Sequence, residues 1–148
     1  MPECMYDKIR PKKLVAADVE LPRAGVGFVE LAATSNYTFL TGASHPEELV
    51  EQAALLGHRA ASIADRNTLA GVVRAHVAAK EAGIPIAIGC RLALMEPANA
   101  NVVVYPTSVA AYARLSGLLT AGKRRAPKGE CYLTLDDLLG SREGLVAV

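Results

Sequence analysis

Asp65 closes a compact apolar run, Ala60 to Ala64, so a strand there would deliver its carboxylate to the strand's C-terminal end. A carboxylate in that position suits a metal ligand or a general base. It equally suits a helix cap, or a partner for Arg66 or Arg91. Lys123, Arg124, Arg125 and Lys128 form a second group of interest, reading as a basic loop that is either solvated or in contact with a nucleic-acid backbone or an acidic neighbour. The three histidines, His45, His58 and His76, do not form a ligand set, because none is paired with a carboxylate at metal spacing. His76 falls between Val72, Val73 and Val77, and a hydrogen-bonded core histidine is expected there. Gly117 to Arg124 nearly spells a phosphate-binding loop. It puts Arg124 where a Mg²⁺-binding hydroxyl is required and follows no strand, which argues against nucleotide binding at that segment. Cys4, Cys90 and Cys131 are odd in number and far apart, which disfavours a disulfide framework or a zinc knuckle and fits a reducing cytoplasm.

The elements that must position these groups follow from periodicity and punctuation. Phe28 to Leu31 reads as a short strand, with 32–42 as a long loop leaving it. Ser44-His45-Pro46-Glu47 reads as a capping box, followed by a helix with Leu49, Val50, Ala53, Ala54 and Leu56 on one face and Gly57 as its stop. The apolar run ending at Asp65 is the next strand. Leu69 to Ala82 is a helix with Leu69, Val72, Val73 and Val77 inward and Gly83 as its cap, and Ile84 to Ile88 is another buried strand. Asn101 to Tyr105 is a further strand, and Ser108 to Ala121 a helix ended by Gly122. Leu145 to Val148 is an apolar run expected to begin or form a strand. Strands alternating with helices imply an α/β fold with mostly parallel strands, and chemistry at the strand C-terminal ends. Three regions are thereby picked out: 32–36, 65–67 and 89–91.

The composition bounds the rest. The chain has 148 residues, 51% hydrophobic and 21% charged, about one globular domain. A net charge of +1 leaves no bulk field for nucleic acid or membrane, so any polyanion contact must be local. Residues 1–24 carry three prolines and no sustained periodicity, and read as a weakly ordered leader before a domain over 25–148. The apolar run within that leader is too short for a signal segment or a membrane span, so a cytoplasmic protein without membrane contact is expected.

The three strand ends resemble the polymerase-and-histidinol-phosphatase (PHP) family. Phe28 to Ala43, Ile63 to Gly71 and Ile84 to Leu92 resemble its first three motifs, in order and spacing. Tyr112 to Leu115 and Gly122 to Cys131 resemble the error-prone branch of the bacterial C-family DNA polymerases. The resemblance implies the N-terminal part of a distorted, TIM-barrel-like βα barrel, incomplete within 25–148. It also implies a parent chain that acts as a nucleotidyltransferase in DNA replication and repair, with translesion synthesis past DNA damage. An active PHP site resembles a His-x-His pair, an Asp-His pair and a later Glu. Here those positions fall on Ala32 and Thr34, on Asp65 and Arg66, and on Arg91. A methyl, a hydroxyl and obligate cations cannot hold a divalent ion, so the resemblance implies a degenerate metal site with no catalytic residue and no cofactor in this segment. A lone Asp65 would then need neutralising, and a salt bridge to Arg66 or Arg91 is expected. The implied role is structural, or docking to DNA or to a partner domain through Lys123, Arg124, Arg125 and Lys128. The partners are the rest of the polymerase chain and, through it, DNA, and Mg²⁺ is expected at the parent's distant polymerase site. A stand-alone PHP-like pseudo-enzyme or binding module is the alternative, and a metal-dependent phosphoesterase a more remote one.

Overall fold

A computed structural model of the chain describes residues 27–96 and 100–148. The expected leader at 1–24 and Cys4 lie outside the described residues. The elements are α1 (Pro46–Leu55), β1 (Ala61–Arg66), α2 (Val72–Ala82), β2 (Ile86–Ala93), β3 (Asn101–Pro106), α3 (Val109–Arg125), α4 (Leu135–Gly140) and β4 (Leu145–Ala147).

The strands form one mixed sheet in the order β1-β2-β3-β4. Only β1 and β2 pair in parallel, while β2–β3 and β3–β4 are antiparallel. The expectation of mostly parallel pairing is therefore corrected. The reason is connection length: 94–100 is too short for the crossover that a parallel neighbour requires. The expected strand at Phe28 to Leu31 is reduced to two isolated parallel bridges along the outer edge of β1, Val29 with Ala60 and Ala33 with Ile63. A barrel is not formed by the described residues.

Strand alternation assigns two faces. Ile63, Cys90, Leu92 and Val104 face the helices. Cys90, Leu92 and Val104 pack with Leu115, Leu118, Leu119 and Leu133, and Ile63 packs with Val50, Ala53, Ala75 and Ala79. Burial pushes the Cys90 thiol up to about 12, as expected of an inert core cysteine.

Several local expectations need correction. The cap of α1 is His45, not Ser44: the His45 N–H donates to Glu48 at 2.8 Å, while the Ser44 carbonyl accepts from Asn36 and closes the preceding loop. α2 starts at Val72, after Asn67 has turned the chain with φ 51°. Its inward face is Val72, Ala75, Ala78 and Ala79, whereas Val73 is 71% exposed, and Val77 and His76 are also exposed. The small alanines let α1 and α2 approach closely and rotate the valines and His76 outward. α3 runs three residues past Gly122, so Lys123, Arg124 and Arg125 form its last turn and not a loop. Gly122 is a packing glycine: a methyl there would lie 2.7 Å from both Cys131 Sγ and Leu133 Cδ2. Basic side chains in a last helical turn complement the helix dipole.

Candidate functional site

The segment after the second bridge, 34–44, folds back over the C-terminal end of β1, and Asp65 holds it there. The Asp65 carboxylate is 2% exposed. It accepts from Ser35 N at 2.8 Å, from Ser35 Oγ at 2.6 Å and from Thr38 Oγ1 at 2.7 Å. Thr38 Oγ1 in turn accepts from the Arg66 N–H at 3.0 Å. Gly42 lies under this turn, where a methyl would overlap the Ser35 carbonyl and stand 2.9 Å from the Thr34 oxygen.

The expected salt bridge is therefore absent. Among the described residues, neither Arg66 nor Arg91 forms an ion pair with Asp65, which is served by hydroxyl and amide donors instead. Alternation gives the reason. Asp65 shares the helix-facing side with Ile63, while Arg66 and its register partner Arg91 take the opposite side. Ile63 likewise packs against the helices.

On that opposite face the two arginines sit side by side. They line a cavity of about 330 Å³ together with Thr34, Thr41, Ala93 and Asn101. Arg91 reaches the Ala32 carbonyl at 3.4 Å, and its Nε is buried without a hydrogen-bond partner. Tyr105 crosses the same face from β3 to donate to the Leu31 carbonyl. Its ring passes over Gly89, where a methyl would lie 2.7 Å from Tyr105 Cε1. Burial raises the Tyr105 phenol above its ordinary value, so it stays protonated and a donor at neutral pH.

A larger cavity of about 780 Å³ adjoins the first and shares Arg66, Thr38 and Thr41 with it. Its other side is built from the end of α3 and the following loop, which bring Lys123 and Lys128 to the mouth. Tyr37, Phe39 and Tyr132 supply aromatic surface. The basic cluster is thus split. Lys123 and Lys128 join Arg66, Arg124 lines neither cavity, and Arg125 turns to Asp137 at 2.6 Å. That guanidinium and the Thr134 cap hold the Asp137 carboxyl down to about 2, so the pair is intact at neutral pH.

The described residues contain no group of three or more His, Cys, Asp or Glu placed to hold a metal ion. At the positions that matter stand Ala32, Thr34, Arg66 and Arg91, and Asp65 faces away with three hydrogen bonds already on its carboxylate. These residues do not fit a divalent ion. The sequence reading missed Ser35 and Thr38 as the partners of Asp65. The signal available was the requirement that a buried anion be hydrogen-bonded, with hydroxyls waiting in the adjacent loop. It also missed Tyr105 and the aromatic rim.

Residues 30–148 match the family model of the PHP domain. The chain is 54% identical over 119 residues to the error-prone DNA polymerase of Brucella abortus, an alignment covering 77% of this chain. It is 52% identical over 117 residues to that of Caulobacter vibrioides, and 47% over 121 residues to error-prone DNA polymerase 1 of Agrobacterium fabrum. The chain spans about 11% of the length of these relatives. Among solved structures, it is similar to an amidohydrolase from Chromobacterium violaceum, with TM-score 0.56, 22% identity, and coverage of 65% of this chain and 33% of that one. A candidate metal-dependent phosphoesterase of Bifidobacterium adolescentis gives TM-score 0.54 at 22% identity, covering 78% and 43%. At that identity the two structures show a shared fold.

Proposed function

The chain belongs to the PHP domain family, and from that membership we propose that it serves as the N-terminal PHP segment of an error-prone DNA polymerase, with the family's metal site lost. The observation that carries this reading is the placement of Arg66 and Arg91 side by side where metal donors would be needed, with Asp65 turned to the other face. An Arg carries its charge at all working pH and has no lone pair to give, so the site repels the ion it would have to bind. The segment's role is then structural: it packs on the rest of the polymerase chain, in the cytoplasm, and supports contact with DNA. Nucleotidyl transfer, with its Mg²⁺, and translesion synthesis would belong to parts of the protein outside these residues. No helix among the described residues is long and apolar enough to cross a membrane.

With Mn²⁺ or Zn²⁺ supplied, the chain is expected to show no release of phosphate from p-nitrophenyl phosphate and no 3′-end removal from a labelled oligonucleotide. Metal-dependent turnover that follows the protein peak through size-exclusion chromatography and ion exchange would contradict the reading.

A further inference from the structure

The loss of metal donors leaves an electrostatic problem on the sheet. Arg66 and Arg91 are register partners on neighbouring parallel strands, where backbones lie only about 4.8 Å apart. Like charges so placed repel, and among the described residues no carboxylate pairs with either guanidinium. The nearby Asp65 is sealed on the far face by Ser35 and Thr38. Glu30, close to Tyr105, accepts from the Ala32 N–H at 2.8 Å. Glu130 is the acidic side chain on the wall of the larger cavity, against Arg66, Lys123 and Lys128. The balance of charge facing the two joined cavities is positive.

Arg91 is the second observation. Its Nε is shielded from solvent and has no hydrogen-bond partner, an arrangement that costs free energy unless a ligand supplies an acceptor. Guanidinium forks match tetrahedral oxyanions through paired N–H donors, and the hydroxyls of Thr34 and Thr41 line the same cavity. We propose that the Arg66–Arg91 pair is a phosphate-binding site, holding a phosphoryl group by charge and by guanidinium N–H donors. The idea rests on the metal site being lost, as argued above. The phosphoryl group could be free phosphate or a backbone phosphate of single-stranded nucleic acid. The larger cavity favours the strand: Lys123 and Lys128 continue the positive path, and Phe39, 83% exposed, and Tyr37 offer surfaces on which bases stack.

The test titrates the full chain with inorganic phosphate, followed by ³¹P NMR, and with dodecathymidylate, followed by fluorescence anisotropy. Saturable binding of at least one probe is expected, weakened about tenfold or more by Arg91→Gln and by Arg66→Gln. Arg91→Lys and Arg66→Lys, which keep the charge and remove the fork, should also weaken it, while Arg142→Gln, away from both cavities, should not. Circular-dichroism melts confirm that each variant is folded, and for any that is not, the Lys variant at that position carries the test. Oligonucleotide binding that phosphate displaces identifies a strand phosphate, and phosphate binding without oligonucleotide binding identifies a free one. No saturable binding of either probe, or binding indifferent to all four variants at Arg66 and Arg91, overturns the site. Metal content is a separate readout, so failure here and failure of the metal-loss reading are distinguishable.

Discussion

Asp65→Ala is expected to lower the stability of the chain by about 3–5 kcal/mol, measured by urea unfolding followed by circular dichroism. The carboxylate is the common acceptor for Ser35 N, Ser35 Oγ and Thr38 Oγ1. Removing it leaves donors at the buried Ser35 and Thr38 without a partner, and each buried unsatisfied group costs about 1–3 kcal/mol. Water entering the vacated space recovers part of the sum. Asp65→Asn should fall between wild type and Ala, because an amide oxygen retains part of the acceptor capacity and the amide N–H groups meet other donors. The loss should appear with Ser35→Ala and Thr38→Ala as coupling in double-mutant cycles. Cycles with Arg66 and Arg91 should be additive within about 0.5 kcal/mol. A loss below about 1 kcal/mol for Asp65→Ala would mean that the carboxylate does not hold the turn, and coupling to an arginine in place of Ser35 and Thr38 would restore the salt-bridge reading.

Gly42→Ala should cost about 3 kcal/mol, at the top of the range for overpacking. A methyl at Gly42 meets backbone, the carbonyls of Ser35 and Thr34, and not the movable end of a side chain. Relief requires the turn to open, which pulls Ser35 from Asp65 and strains the Asn36 N–H to Ser44 carbonyl bond at 2.9 Å. Gly89→Ala makes a useful contrast, since its clash is with the ring of Tyr105, which can shift. The same unfolding measurement ranks the two. A Gly42→Ala protein within about 1 kcal/mol of wild type would mean that the turn is not held as described.

The order of elements was legible because each carries a local signal. β1 is a compact run buried as far as Asp65, α2 ends on Gly83 with φ 68°, and Ser108 Oγ accepts from Ala111 N at the start of α3. What escaped depends on geometry that spacing does not encode. α4 is six residues long, too short for a periodic pattern, although its Thr134–Asp137 capping box was available to be read. The inward face of α2 went to alanines over valines, because helix–helix distance, not side-chain hydropathy, decided the packing. Gly122 reads as a helix stop, which puts the basic residues at 123–125 in a loop, but its missing side chain instead makes room for Cys131 and Leu133 within a continuing helix. Of the site positions, Arg66 closes β1, while Arg91 lies within β2, two residues before its end. The pairing of Asp65 with an arginine was wrong for a reason the sequence did contain. In a strand whose Ile63 is core-facing, Asp65 must point the same way and Arg66 the other.

The central claim is that these residues have exchanged metal binding for positive charge. Metal analysis by inductively coupled plasma mass spectrometry, on protein incubated with Zn²⁺, Mn²⁺ and Fe²⁺ and then dialysed, tests it most directly. The account predicts well under one equivalent of each metal. One equivalent or more of any of them retained through dialysis, and displaced only by a chelator, would contradict it.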